Sequence, residues 1–190
     1  MPRISLPSPE SMNAEQRAVY DKIVSGPRGR IQDPLRAALH NPELTDKWQA
    51  FDALLRYGTT LPPQLTEIAI LITGRACRSP FEWYAHRQEA EKAGVEQTVI
   101  EAILVGTLPD GLSPDDAAVY HYALELNRHN SVSDATYAAA LARFGERAVV
   151  ELTALIGYYT MVAMTLNCHE IPLSEGAKPA FALPQRAELA

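Results

Sequence analysis

Two cysteines in 190 residues, Cys77 and Cys168, are too few for a disulfide framework and fit a reducing compartment. Each reads as a small buried hydrophobe before it reads as a nucleophile. The chain also lacks any run of basic residues, and its formal net charge is −6 with a pI near 5.4. Nucleic acid and anionic membranes attract the opposite balance, so neither is an expected partner. Ten glycines are scattered along the sequence, which leaves no phosphate-cradling loop and no dinucleotide fingerprint. No apolar core follows the opening Met1-Pro2-Arg3-Ile4-Ser5-Leu6-Pro7, so no secretory leader is read there and a cytoplasmic location is expected. Strand-like alternation of convincing length, internal repeats and low-complexity tracts are all missing.

What is present is helical. A hydrophobic content of 47% lets 190 residues bury one sizeable core, so a single domain over residues 1–190 is expected. Residues 1–12 are too rich in proline for a helix and read as an extended arm. Asn13 caps a first helix to about Val24, closed by Gly26-Pro27. Asn41-Pro42 opens a second, on which Leu44, Trp48, Phe51 and Leu55 fall at i, i+4, i+7 and i+11 as one apolar stripe. Leu61-Pro62-Pro63 opens a third and Ser79-Pro80 a fourth, ending near Gly94. A fifth carries Val99, Ile100, Ile103 and Leu104. Ser113-Pro114 starts a sixth, and Ser133 caps a seventh that stops at Gly145. A last helix over residues 146–167 is apolar on nearly every side and almost long enough to span a bilayer. Glu151 near one end and the lack of a flanking cationic cluster favour a soluble reading, with this helix buried at a subunit contact. Residues 173–190 read as an irregular tail. The sum is an all-α bundle of seven to eight helices.

Chemistry concentrates on the third and fourth helices. Glu82 and His86 are four apart and share one helix face. Glu67 lies nineteen residues before His86, in the apolar run Leu65-Thr66-Glu67-Ile68-Ala69-Ile70-Leu71-Ile72, and Ser79-Pro80 lets the chain turn back to bring it near the pair. Two carboxylates and an imidazole in apolar surroundings can move protons. Glu82 has a second reading, because Ser79-Pro80-Phe81-Glu82 is also a capping box in which Glu82 reaches back to the Ser79 N–H. A carboxylate has two oxygens and can serve both roles.

Leu61-Pro62-Pro63-Gln64-Leu65-Thr66-Glu67-Ile68-Ala69-Ile70-Leu71, followed by Glu82-Trp83-Tyr84-Ala85-His86, resembles the carboxymuconolactone decarboxylase and alkylhydroperoxidase D-like superfamily. Glu151-Leu152-Thr153-Ala154-Leu155-Ile156-Gly157-Tyr158-Tyr159-Thr160 through Asn167 resembles its C-terminal helix, so the likeness spans roughly residues 10–175. It implies an alkylhydroperoxidase D-like fold and a symmetric homo-oligomer. The peroxidase branch carries Cys-x-x-Cys-x-x-x-His with a glutamate one helix earlier. Counted back from His86, Ser79 and Glu82 stand where those cysteines would, and Glu67 where the glutamate would. The decarboxylase branch has Glu-x-x-x-His here, which Glu82 and His86 match. That likeness implies a carboxy-lyase, of the kind found in aromatic-compound degradation.

The resulting expectation is a cofactor-free acid/base enzyme whose substrate is a small organic acid or lactone. His86 moves the proton, Glu82 fixes its tautomer, and a desolvated Glu67 relays. Phe81, Trp83 and Tyr84 form walls, Arg78 receives a substrate carboxylate at the pocket mouth, and His169 reaches the site from the end of the last helix. No metal or other cofactor is expected. Other readings are a metal bound by Glu67, Glu82 and His86, a non-catalytic ligand-binding protein, and an alkylhydroperoxidase-like antioxidant protein, the last lacking its dithiol. Cys168-His169-Glu170 are adjacent and diverge around a helix end, so they do not chelate one ion together.

Overall fold

The computed structural model describes residues 2–26, 29–174 and 176–183, and among them it has eight helices and no strand. The all-α expectation holds. Two compact units are formed, one by Met1–Gly58 with Thr165–Pro172 and the other by Thr59–Met164 with Leu173–Ala190.

In the first unit, α1 (Ala14–Ser25) starts from a reciprocal cap. The Gln16 N–H donates to Asn13 Oδ1 at 2.9 Å, and the Asn13 N–H donates to Gln16 Oε1 at 3.0 Å. Gly26 ends the helix; Pro27 lies outside the described residues. Next comes α2 (Asp33–Ala38), unannounced by the sequence because six residues are too few to show a period. Asn41 caps α3 (Pro42–Tyr57) by accepting from the Leu44 N–H at 3.1 Å. The buried face of α3 is Thr45, Trp48, Asp52 and Leu55. Leu44 and Phe51, expected on that stripe, are 52% and 43% exposed. α1 and α2 both pack on α3, and covering it from that side turns the stripe by about one residue. The N-terminal arm is tied down by its backbone, since Arg36 donates to the carbonyls of Leu6 and Pro7 and the Arg3 N–H donates to the His169 carbonyl at 2.8 Å.

The second unit is built around α4 (Pro63–Ala76), which packs against α5 (Pro80–Lys92), α6 (Gln97–Val105) and α7 (Pro114–His129). Leu65 and then every residue from Glu67 to Gly74 are buried. A helix covered on all sides is the centre of its bundle. Inside it, Thr73 donates to the Ala69 carbonyl at 2.8 Å and accepts from Asn127 of α7 at 3.0 Å, so the hydroxyl is satisfied within the core.

The turn from α4 to α5 takes three residues. The Ser79 N–H donates to the Gly74 carbonyl at 2.9 Å and the Arg78 N–H to the Arg75 carbonyl at 3.1 Å. This is a Schellman ending with Arg78, at φ 51°, in the left-handed position that glycine usually takes. It folds α5 straight back along α4.

α8 (Asp134–His169) is broken at Gly145, where φ is 76° and ψ is 170°. This is the boundary the sequence places between its last two helices. Beyond the break one face is buried through Leu152, Leu155, Ile156, Tyr159 and Ala163, while Val150, Met161 and Met164 stand 68%, 40% and 64% exposed. Among the described residues α8 is the helix long and apolar enough to cross a membrane, and half of that apolar window is buried within the protein.

A Cβ at Gly145 would meet nothing within 4 Å. Gly145→Ala therefore tests backbone strain alone, in a region that is essentially open only to glycine. The expected cost is about 1–3 kcal/mol, read as a lower melting temperature with unchanged helix content at low temperature. An unchanged melting temperature would show that the break at Gly145 is not enforced by its backbone.

Candidate active site

The short turn between α4 and α5 sets Glu67 on one helix against Glu82 and His86 on the next. All three are buried, at 6%, 2% and 7% exposure. His86 Nδ1 lies 2.8 Å from Glu67 Oε2. A carboxylate oxygen accepts from an imidazole N–H, so this contact suits the tautomer in which Nδ1–H donates and Nε2 carries the lone pair. The ring of Tyr159, from α8, meets the imidazole edge to face at 4.8 Å between centroids and 85° between planes. Tyr158 packs in turn on Tyr159 at 5.1 Å. The imidazole is thus fixed by a hydrogen bond on one side and an aromatic ring on another.

Glu67, rather than Glu82, orients His86. Both oxygens of Glu82 are buried without a hydrogen-bond partner among the described residues, and so are Ser79 Oγ and Trp83 Nε1. The capping box is therefore not formed. Its physical reason lies one helix earlier, because the Ser79 N–H that Glu82 would have to reach already donates to the Gly74 carbonyl. Glu82 is left facing α4, with its Cβ and Cγ over the bare backbone of Gly74.

Burial, and then the neighbouring charge of Glu67, push the Glu82 carboxyl well above its ordinary value of 4.5. These surroundings favour the neutral acid at Glu82. It can donate a hydrogen bond or a proton, which an ionised carboxylate cannot do. Cys77, at the end of α4, is shifted upward as well, by burial first and then by Glu82, against a hydrogen bond with Thr160 that works the other way. A thiol shifted in that direction is a poor nucleophile.

The remaining expected residues divide. Trp83 is buried at 1% exposure, and its indole packs edge-on against Phe181 of the tail at 6.0 Å. Phe81 and Tyr84 are half-buried; Tyr84 lies about 160° around the helix from His86 and so points away from the imidazole. Arg78 is exposed at the turn. His169, half-buried, ends α8 within the first unit, where its carbonyl holds Arg3. Arg75 and Arg87 are engaged, Arg75 with the Leu104 carbonyl at 2.8 Å and Arg87 with Glu101 at 2.8 Å. Among the described residues no three His, Cys, Asp or Glu side chains converge as a metal-ligand set, so Glu67, Glu82 and His86 do not offer the donor geometry of the metal reading. Sequence reasoning missed Tyr159 and Phe181. The Tyr158-Tyr159 pair inside an apolar helix was a signal for the first, and nothing in the tail signalled the second.

Comparison with known proteins bears on the fold. The model of the carboxymuconolactone decarboxylase family matches residues 42–125. No functionally curated protein matches the sequence. Among solved structures, the chain is similar to the alkylhydroperoxidase AhpD core of an uncharacterized peroxidase-related protein from Ralstonia eutropha JMP134, at 16% identity over 92% of this chain and 93% of that one, TM-score 0.73. It is also similar to a Cys-to-Ala variant of the debrominase Bmp8 in complex with 2,3,4-tribromopyrrole, at 12% identity over 91% of each chain, TM-score 0.71. A third, a protein of unknown function from Agrobacterium tumefaciens, shares 14% identity over 72% of this chain and 94% of its own, TM-score 0.63. At these identities the likeness establishes the fold, which is alkylhydroperoxidase D-like.

The neutral state of Glu82 has a thermodynamic signature. Its folded pKa lies above the unfolded one, so above about pH 4.5 the folded protein retains a proton that the unfolded chain has released, and stability falls with pH until the folded value is passed. Glu82→Gln removes that penalty. It should raise the melting temperature at pH 8, with a gain that shrinks toward pH 4. A variant that is less stable at pH 8, or whose difference ignores pH, would mean that Glu82 is ionised in the folded protein.

Proposed function

We propose that this chain, whose residues 42–125 match the carboxymuconolactone decarboxylase family model, is an acid/base enzyme which decarboxylates or isomerises a small organic acid or lactone. One observation carries this reading. The buried Glu82 carboxyl, pushed toward its neutral form, lies one helical turn from an imidazole that is hydrogen-bonded to Glu67 at 2.8 Å. A carboxyl pushed toward its protonated form next to an imidazole can supply both a proton donor and a proton acceptor.

In decarboxylation the bond from carbon to the carboxylate breaks and its electron pair passes into a neighbouring carbonyl or alkene. The resulting carbanion takes a proton at carbon, which the Glu82 carboxyl supplies. His86 Nε2 abstracts an acidic C–H in the isomerising variant, and the Glu67 carboxylate stabilises the imidazolium that forms. Trp83 Nε1 and Ser79 Oγ, buried and without a hydrogen-bond partner among the described residues, are candidate donors for the oxygen on which negative charge develops. A thiol-based peroxidase reading has less support. Ser79 and Glu82 stand where its two cysteines would be, and Cys77 is shifted away from the thiolate.

The exposed stripe of Val150, Met161 and Met164 on α8 supports assembly with a second copy, since a closed symmetric contact is the common way to cover such a face. Light scattering at micromolar concentration should then give a multiple of 20.9 kDa. A monomeric mass would remove the assembly from this reading.

The chemistry is tested by turnover of a panel of β-keto acids and lactones in D₂O. Products should carry one deuterium at the carbon that lost carbon dioxide or was isomerised. His86→Ala and Glu82→Gln should each lower the rate by about 10²–10⁴-fold while both remain folded. Turnover equal to wild type in both variants would place the chemistry elsewhere.

A further inference from the structure

A cavity of about 460 Å³ lies between α4, α6 and α7, on the side of α4 turned away from Glu67. It shares no lining residue with the buried dyad or with Glu82. The volume suits a small organic molecule, at the lower end of the usual range of about 300–1,000 Å³. Its walls are apolar, from Ile72, Ile103, Leu108 and Leu124. Leu108 is 58% exposed, so the apolar wall continues out to the mouth.

The charge of the lining is one-sided. Arg75, Arg78 and Arg128 contribute three guanidinium groups, and no acidic side chain lines the cavity. In a protein of net charge −6 that is a local reversal of sign. Two of the neutral polar side chains, Tyr120 and Asn127, are already engaged. The Tyr120 hydroxyl donates to the Thr107 carbonyl at 2.8 Å, and the Asn127 amide donates to Thr73 and to the Ala123 carbonyl. Arg75 spends its Nε–H on the Leu104 carbonyl and lies over the Phe181 ring at 5.1 Å, which holds its two terminal nitrogens in place.

Arg78 is the most telling of the three. It occupies the left-handed position of the Schellman turn, φ 51°, at a cost that glycine would avoid. Its side chain makes no ion pair among the described residues that would repay this locally. Bulky non-glycine residues in that conformation concentrate where a side chain is needed for binding.

We propose that this cavity is a binding site for a small organic monocarboxylate with an apolar ring or chain. The carboxylate is received by Arg78 and Arg128, and the apolar body lies along Ile72, Ile103 and Leu124. The site is separate from the proton-transfer site and does not depend on its chemistry.

Benzoate is the probe, titrated into the full-length protein by calorimetry, with neutral benzamide as its isostere. Benzoate binds saturably with a millimolar or tighter Kd, and benzamide binds at least about tenfold more weakly. Arg78→Gly with Arg128→Gln weakens benzoate by about tenfold or more. Arg78→Gly relaxes the turn, so its melting temperature does not fall, and lost affinity cannot be assigned to unfolding. Arg128→Gln alone gives a second reading that leaves the turn untouched. His86→Ala leaves benzoate affinity unchanged. The proposal is overturned by no saturable binding up to ~20 mM, by equal affinity in the arginine variants, or by benzamide binding as tightly as benzoate. Loss of binding in His86→Ala would also overturn it, by placing benzoate in the buried site.

Discussion

Two carboxyl groups and one imidazole share a single apolar interior, and that interior can hold only one carboxylate charge cheaply. An ionised carboxylate out of water costs several kcal/mol unless it is paired and hydrogen-bonded. Glu67 meets the condition through the Nδ1–H of His86 at 2.8 Å. Glu82 has no such partner among the described residues, and its burial, with the charge of Glu67 added, pushes it toward the protonated form. The division of labour between two chemically equal side chains follows from which of them the imidazole faces. Tyr159 contributes by standing edge-on against that ring, which leaves the imidazole little freedom to turn toward Glu82.

The three-residue turn between α4 and α5 enforces this arrangement. Its Schellman bonds use the Ser79 N–H, so Glu82 cannot serve as a helix cap and its carboxyl remains inside the bundle. The same turn puts Arg78 in a left-handed conformation on the opposite side of the helix pair. A buried carboxyl on the inside and an exposed guanidinium on the outside are thus two products of one backbone motif. Both departures from local rule, an unpartnered buried carboxyl and a non-glycine residue at the helix-ending position, occur within five residues. Sequences that break local rules in this way tend to do so at functional sites.

Much of this was legible in the sequence. Proline and cap residues mark the starts of α1, α3, α4, α5 and α7 because those signals are local, and Gly145 marks the break in α8 for the same reason. The meeting of Glu67 with His86 could be expected from an apolar helix followed by an abrupt restart. Less was recoverable where the outcome depends on distant packing. The stripe on α3 rotated because a six-residue helix that shows no period covers it. The pairing of His86 with Glu67 instead of Glu82 depended on how a turn spends one N–H, which no side-chain pattern records. Phe181 reaches Trp83 and Arg75 from a segment without secondary structure, where periodicity has nothing to say.

The chemistry open to this scaffold follows from which side chains occupy the start of α5. Cysteines at the positions of Ser79 and Glu82 would permit an electron-pair cycle through sulfenic acid and disulfide. Serine and a carboxylic acid permit no such cycle and allow only hydrogen bonding and proton exchange. Burial has opposite consequences for the two sets. It raises a thiol away from the reactive thiolate, as at Cys77, whereas it turns a carboxyl into the proton-bearing form that general-acid chemistry requires. Burial that would weaken a thiol nucleophile therefore favours the proton-bearing form of this carboxyl. The closed environment around Glu82 is suited to the residue that is there.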